Sequence, residues 1–180
     1  MRGLTLLLLL SMTTVVAAER PGDDGPVMGS LAPDFTLPMA TRDTIDFSGV
    51  HLAEIIGKKL IVLAFYPADW SGGCTKEMCS FRDSFGDLQG RNAMVFGISG
   101  DYVFSHRQWA KDQNLPFTLL SDHDHAVAKR YGSYNPDSGF NRRTVFVIDR
   151  KGAIAYKDMS YKPGMTDSFE KLRVALSSIH

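Results

Sequence analysis

The chain has 180 residues, of which 44% are hydrophobic and 22% charged, and its 20 basic residues balance its 20 acidic ones. This composition predicts one globular domain with a sizeable core and argues against an intrinsically disordered chain. A formal net charge of zero removes the electrostatic signature of a nucleic-acid-binding or membrane-surface protein. The function therefore has to be sought in particular side chains.

The first part of the chain, residues 1–18, has the form of a secretory signal. Arg2 precedes an apolar run with five consecutive leucines, and small residues precede the predicted cleavage position. An uncleaved membrane anchor is disfavoured because Leu4–Ala18 is shorter than the roughly 20 apolar residues that a span needs. We therefore predict cleavage after Ala18, a flexible segment over residues 19–27, no stable membrane insertion, and an extracytoplasmic protein in the periplasm, the secretory pathway or an organelle lumen.

After residue 28, apolar runs alternate with amphipathic segments. Runs rich in β-branched and aromatic residues predict strands at Ala32–Leu37, Ile45–Ser48, Leu60–Phe65, Ala93–Ser99, Phe117–Leu120, Thr144–Ile148 and Ala153–Tyr156. Helices are predicted at Leu52–Ile56, from Thr75 up to Gly86, and at Val103–Gln113, Ala126–Tyr131 and 166–179. This alternation predicts βαβ units with parallel strands, with a β-hairpin at the last two strands and a loop over Ser133–Asn141.

Both cysteines lie in the stretch Phe65–Asp83, FYPADWSGGCTKEMCSFRD. A buried strand ends at Phe65, a proline and two glycines break regular structure, and helix formers follow from Thr75. Cys74 is therefore expected at or near the first turn of a helix. Unpaired N–H groups and the positive end of the helix dipole stabilise an anion there, so a thiolate is favoured at Cys74.

Cys79 stands five residues after Cys74. In an intact helix this spacing turns the two side chains roughly 140° apart and separates their Cα atoms by about 8–9 Å. A disulfide cannot bridge Cα atoms more than about 7 Å apart without backbone movement. Pairing of the two cysteines would therefore require the first helical turns to unwind, which indicates a redox step coupled to local unfolding rather than a static crosslink.

The same stretch resembles the active site of peroxiredoxins, the AhpC/TSA-like group of the thioredoxin-like superfamily. Pro67, Ser71 and Cys74 match the signature P-x-x-x-[T/S]-x-x-C, and the Cys-x4-Cys spacing followed by Phe-Arg-Asp resembles the peroxiredoxin Q (bacterioferritin comigratory protein) branch. The opening G-x-x-A-P-D-F-T-L is similar to the start of many peroxiredoxins. The resemblance covers most of residues 28–180 and implies one α/β domain of thioredoxin-like fold, with a central mixed sheet flanked by helices.

The resemblance assigns the two cysteines different roles. Cys74 is implied to be the peroxidatic nucleophile, whose thiolate attacks a peroxide oxygen and becomes a sulfenic acid. Cys79 is implied to be the resolving cysteine, which forms a Cys74–Cys79 disulfide that a thioredoxin-like reductant reopens. From the residues alone, Cys74 could instead be an inert thiol or half of a structural disulfide, and Cys79 a passive core thiol.

Pro67 and Ser71 of the signature, and the backbone at Gly73, carry further expectations about the site. The Ser71 hydroxyl is expected to bond to the sulfur or the bound peroxide, to cap the helix, or to do both. Pro67 packs over the thiol in the family, although on composition it is simply a strand terminator. Backbone N–H groups near Gly73 and Cys74 are expected to contribute to peroxide binding.

Two charged residues complete the predicted site. Arg143 matches the family's arginine, which favours the thiolate and donates hydrogen bonds to the peroxide. Arg142 is adjacent, and because side chains alternate along a strand, only one of the two should face the site; we expect Arg143. Glu77 matches an acidic or amide position that orients this arginine, although the helix dipole favours a glutamate in the first turns of any helix.

His123 and His125 alternate with Asp122 and Asp124, a pattern that could suggest a metal site. A solvated turn with a helix cap explains it better, because no cysteine or third histidine lies nearby. We expect no metal, and the resemblance implies neither haem nor flavin.

The sequence thus predicts an atypical two-cysteine peroxiredoxin that reduces hydrogen peroxide or small organic hydroperoxides. A thioredoxin-like reductant and a monomer or weak dimer are expected. One alternative is a thiol–disulfide oxidoreductase, which the lack of a Cys-x-x-Cys motif disfavours. The other is a non-enzymatic redox sensor that would use the same two cysteines.

Overall fold

The computed structural model describes residues 25–163 and 165–179. The predicted signal at residues 1–18 lies outside the described residues, as does most of the segment predicted to be flexible. Across the two described ranges, no helix combines the length and the apolar character needed to cross a bilayer.

The elements follow one another in a largely alternating order. The strands are β1 (Thr36–Ala40), β2 (Ile45–His51), β3 (Leu60–Phe65), β4 (Ala93–Ser99), β5 (Thr118–Ser121), β6 (Tyr134–Asn135), β7 (Phe140–Asn141), β8 (Thr144–Ile148) and β9 (Ile154–Asp158). The helices are α1 (Leu52–Ile55), α2 (Gly72–Asp83), α3 (Phe85–Gly90), α4 (Val103–Asp112), α5 (Ala126–Arg130) and α6 (Thr166–Ser178).

One mixed sheet of seven strands, in the order β2-β1-β5-β4-β3-β8-β9, forms the centre of the molecule. β3, β4 and β5 run parallel, whereas β8 is antiparallel to β3 and to β9. All six residues of β3, LIVLAF, are buried, as expected for a strand covered on both faces. The predicted mixed sheet flanked by helices is confirmed.

Alternating side chains divide the core into two clusters, one on each face of the sheet. Val62 and Ala64 of β3 belong to the cluster that includes residues of α2, α4 and α6. Ile61 and Leu63 belong to the cluster with α1 and α5. The amino end of α2 follows the carboxyl end of β3, which is the edge where open α/β sheets place their ligand sites.

Several local features differ from the sequence prediction. Helix α2 begins at Gly72 rather than Thr75, so it includes the two glycines predicted to break regular structure. The first strand begins at Thr36 rather than Ala32, since Pro33 has no N–H to donate to a ladder. The predicted loop Ser133–Asn141 contains the short antiparallel pair β6–β7. The helix α3 is not predicted, because its two glycines weigh against a helix, but burial of Leu88 in the core compensates.

Candidate active site

Cys74 lies in the first turn of α2, as predicted, just beyond the loop that follows β3. Ser71 is the N-cap residue: its backbone is extended, and its hydroxyl oxygen accepts the Cys74 N–H across 3.4 Å. The Ser71 carbonyl accepts the Thr75 N–H at 2.9 Å. Because this side chain pairs one of the N–H groups that lack intrahelical partners, the sequence begins a helix here.

The Cys74 side chain is fully buried, and a guanidinium group reaches its sulfur. Arg143 Nη2 donates to Cys74 Sγ across 3.3 Å. The guanidinium therefore places a positive charge and a hydrogen-bond donor directly at the sulfur. Burial alone would lower the pKa of Arg143, but the neighbouring Glu77 carboxylate and Cys74 sulfur outweigh it and raise that pKa. Arg143 therefore stays positively charged beside the sulfur.

Arg143 reaches the site because of strand pairing. It directly precedes β8, and β8 pairs with β3 so that Thr144 lies opposite Phe65, the last residue before the active-site loop. The Arg143 carbonyl accepts the Tyr161 N–H at 3.0 Å, which fixes its backbone. Of the two adjacent arginines, Arg143 is thus the one whose guanidinium contacts Cys74, while the Arg142 N–H donates to the carbonyl of Ser133.

Glu77 lies one turn beyond Cys74 and is completely buried. Its Oε2 accepts from Arg143 Nη1, so the carboxylate fixes the direction in which the guanidinium points. Burial raises the pKa of Glu77 to about 7, and Arg143 offsets this effect only in part. Its other oxygen, Oε1, has no hydrogen-bond partner among the described residues. Glu77 therefore orients Arg143, but the negative charge of the Glu77 carboxylate is itself poorly stabilised at this buried position.

Gly73 has a steric role that the sequence analysis did not identify. A Cβ atom at this position would lie 2.8 Å from Arg143 Nη2 and 3.6 Å from its Cζ, whereas one at Gly72 would meet nothing within 4 Å. A contact below 3.0 Å forces one of the groups to move. The missing side chain at Gly73 thus lets the guanidinium lie against the helix start and reach Cys74.

The two cysteines lie in one intact helix, and both thiols are free. Cys79 is half-buried, and its Sγ lies 3.7 Å from Oε1 of Gln113, a residue just beyond α4. Pro67, also half-buried, lies in the loop between β3 and α2. The structure therefore gathers Ser71, Gly73, Glu77 and Arg143 around Cys74, and holds Cys79 elsewhere on the same helix.

The histidines that suggested a metal have other contacts. His123 stacks on Tyr102 with ring centroids 3.9 Å apart, and His125 Nδ1 lies 2.8 Å from Asn141 Oδ1. The Asp122 carboxylate accepts two backbone N–H groups at the start of α5. Within residues 25–163 and 165–179, no three His, Cys, Asp or Glu side chains are grouped so as to hold a metal ion.

The chain is similar in sequence to a known protein family and to several of its named members. The model of the AhpC/TSA family matches residues 28–157. Chloroplastic peroxiredoxin Q of Triticum aestivum is 44% identical over 131 residues, which are 71% of this chain and 57% of that protein. The putative peroxiredoxin bcp of Coxiella burnetii is 41% identical over 134 residues, 71% of this chain and 85% of that protein. The chain therefore spans little more than half the length of the wheat relative.

Solved structures show the same architecture. Reduced 2-Cys peroxiredoxin of Plasmodium vivax superimposes with a TM-score of 0.76 at 25% identity, over 85% of this chain and 82% of that one. Peroxidoxin BcpB of Mycobacterium tuberculosis gives a TM-score of 0.71 at 29% identity, over 85% and 97%. The predicted thioredoxin-like fold in its peroxiredoxin variant is confirmed.

The predicted extracytoplasmic location is wrong. The peroxiredoxin Q relatives from wheat and Oryza sativa are named as chloroplastic proteins, and the Coxiella relative is a bacterial bcp. The prediction of export depends entirely on the apolar run within residues 1–18, which lies outside the described residues.

Proposed function

Because the chain belongs to the AhpC/TSA family, as the match over residues 28–157 shows, we propose that it is a thiol peroxidase of the peroxiredoxin Q type. Its substrates are hydrogen peroxide and small organic hydroperoxides, and Cys74 is the nucleophile. The observation that carries the proposal is the Arg143 guanidinium 3.3 Å from the Cys74 sulfur at the start of a helix. The resemblance to peroxiredoxins that the sequence predicts is confirmed by the wheat and Coxiella relatives.

In the first step, the Cys74 thiolate attacks one peroxide oxygen. An S–O bond forms, the O–O bond breaks, and the second oxygen leaves with the bonding electron pair as hydroxide or alkoxide, which takes up a proton. Arg143, the Ser71 hydroxyl and backbone N–H groups near Gly73 stabilise the negative charge that develops on the leaving oxygen. The product is a sulfenic acid on Cys74.

In the second step, the Cys79 thiolate attacks the sulfenic sulfur of Cys74. The S–S bond forms and the hydroxyl group leaves as water after gaining a proton. Since both residues lie in one helix, the first turns of α2 unwind before the sulfurs can meet. A thioredoxin-like dithiol then reduces the disulfide and restores both thiols.

The complete burial of Cys74 favours a small substrate. In-line attack on a protein disulfide needs an exposed thiol, which this buried sulfur does not offer. The thiol–disulfide oxidoreductase considered from the sequence is disfavoured for this reason. A redox sensor would use the same two cysteines, so turnover has to be measured.

A coupled assay with thioredoxin, thioredoxin reductase and NADPH tests the proposal. We expect the wild type to consume NADPH continuously when hydrogen peroxide is added, and Cys74→Ser to consume none. Cys79→Ser removes the other thiol of the same helix and should lose thioredoxin-dependent turnover but still undergo one rapid oxidation. A wild type that shows no peroxide-dependent turnover would overturn the proposal.

A further inference from the structure

A second group of buried polar side chains lies behind the loop that carries Ser71. Asp69 in this loop is only 6% exposed, and His106 of α4 is fully buried. His106 Nδ1 lies 2.9 Å from Asp69 Oδ2, and Nε2 lies 3.2 Å from the carbonyl oxygen of Leu120 in β5. Neither Asp69 nor His106 is among the site residues predicted from the sequence.

The hydrogen bonds of this group converge on the Asp69 carboxyl group. The Leu120 carbonyl can only accept, so Nε2 of His106 carries a hydrogen. The Asp69 carboxylate accepts from the hydroxyl groups of Tyr66, at 2.8 Å, and Ser105, at 2.7 Å. Nδ1 of His106 is the third polar group in contact with this carboxyl group. Both ring nitrogens of His106 and both side-chain oxygens of Asp69 thus have hydrogen-bond partners within the core.

The same group fixes the backbone of the active-site loop. The Asp69 N–H donates to Asp101 Oδ2 at 2.8 Å, and the Asp69 carbonyl accepts the Ser71 N–H at 2.8 Å. Trp70, which lies between them, has a φ of +62°, an uncommon conformation for a residue with a side chain. Its indole N–H donates to Ser105 Oγ at 3.0 Å. The position of Ser71 is therefore set by α4, and not only by the helix that Ser71 caps.

We propose that Asp69 and His106 are positioning residues for the peroxide reaction, an inference that rests on the proposed function. They hold Ser71, and with it the first N–H groups of α2, around Cys74 without touching the peroxide. When a mutation far from the reacting atoms misplaces a catalytic group by 1 Å, the reaction can slow roughly a hundredfold. Residues that hold Ser71 in position can therefore affect the rate. Stability alone gives little reason for the pair, because apolar residues of similar shape can replace both partners of a buried hydrogen bond with little loss.

The test compares two reactions of Cys74 in a Cys79→Ser background, in which Cys74 is the one thiol that can react. Oxidation by hydrogen peroxide needs the thiolate and the aligned donors, whereas alkylation by iodoacetamide needs only the thiolate. Asp69→Asn, His106→Asn and the double variant disrupt the contact between Asp69 and His106. Asp122→Asn is the matched control, since Asp122 is an equally buried carboxylate that accepts backbone N–H groups of α5.

We expect the single variants to be oxidised roughly tenfold more slowly while their alkylation rates stay within about twofold of the wild type. The double variant should be no slower than the slower single variant, because the pair acts as a unit. Asp122→Asn should lower the urea midpoint and leave both rates unchanged. Oxidation and alkylation rates that fall together, or that both stay constant, would show a structural pair and overturn the inference.

A milder variant covers the case in which loss of the Asp69–His106 contact unfolds the loop. Ser105→Ala removes one donor to Asp69 and the acceptor of the Trp70 indole N–H, and it leaves the Asp69–His106 contact in place. We expect oxidation to slow about three- to tenfold, the effect of one or two hydrogen bonds, with alkylation unchanged; equal oxidation rates would overturn the inference. A wild type that is oxidised no faster than free cysteine would instead contradict the proposed function.

Discussion

A Cβ atom at Gly73 would lie 2.8 Å from Nη2 of Arg143, the atom that donates to the Cys74 sulfur. The guanidinium is held on its other side by the buried carboxylate of Glu77. A methyl group at this position would push Nη2 away from its place, and the bond to the Cys74 sulfur is made by that same atom. The reactivity of Cys74 should depend on the lack of a side chain at Gly73.

Gly73→Ala should make the helix more stable but slow the oxidation of Cys74. Alanine stabilises a helix by about 1 kcal/mol relative to glycine, but here its methyl group displaces the guanidinium from Cys74. We expect oxidation by peroxide to slow roughly tenfold or more, as for a lost transition-state donor. Gly72→Ala is the control, since its methyl group meets open space. Stopped-flow oxidation and urea unfolding of both variants measure the two effects, and equal oxidation rates in both would contradict the steric role.

Arg143→Lys should slow oxidation roughly a hundredfold although the charge is kept. A lysine ammonium cannot bond to the Glu77 carboxylate and the Cys74 sulfur with separate nitrogens, as the guanidinium does. Arg142→Lys makes the same substitution one residue earlier and should leave the oxidation rate within about twofold of the wild type. Similar rate losses in the two variants would show that Arg143 has no special role.

Glu77→Gln should change how stability depends on pH. The pKa of Glu77 is about 7 in the folded protein, against 4.5 for an unperturbed glutamate side chain. Between these pH values the folded state holds a proton that the unfolded state has released, so the wild type loses stability as the pH rises. The full loss above pH 7 is of the order of 3 kcal/mol.

The glutamine variant lacks this titration. Its free energy of unfolding should therefore rise relative to that of the wild type from pH 4.5 to pH 7 and then level off. Urea unfolding of both proteins at pH 5 and pH 8 measures this difference in unfolding free energy. Contributions from the other titrating groups are the same in both proteins and cancel. A difference that is the same at both pH values would contradict the assignment.

Gly72→Pro should slow disulfide formation and leave the first oxidation unchanged. Proline suits the first position of a helix, because its fixed φ is helical and an N–H is not needed there. The substitution stiffens the turn that has to unwind before Cys79 can reach Cys74, and space is available for the ring's Cβ. Trapping of the sulfenic acid over time gives the rate of its resolution, with Gly72→Ala as the control. An unchanged rate would show that this turn does not limit resolution.

Local signals in the sequence predicted much of the site. The strand ending at Phe65, the glycines before Cys74 and the helix formers after it are neighbours in the chain, so the position of the cysteine in the first turn follows from them. The choice of Arg143 depended on resemblance to a family, because this residue lies 69 positions from Cys74 and reaches it only through the pairing of β3 with β8.

Other features could not be predicted from local patterns. The burial of Glu77 and the close approach of a guanidinium to Gly73 result from packing between elements distant in the chain. The contact between Asp69 and His106 joins a loop to α4 across 37 positions; Asp69 occupies an unspecified position of the cysteine signature, and His106 stands in no motif. Conversely, the apolar N-terminal run gave a clear local pattern and a wrong prediction of location.

Stopped-flow mixing of the reduced protein with hydrogen peroxide, followed by mass spectrometry, tests most directly whether Cys74 is an activated peroxidatic thiol. We expect rapid oxidation of the wild type and of Cys79→Ser, and none of Cys74→Ser. The wild type should end as a Cys74–Cys79 disulfide, and Cys79→Ser as a sulfenic acid that a trapping reagent captures. A wild type that is oxidised no faster than free cysteine, or equally fast in Cys74→Ser, would contradict the proposed peroxidase.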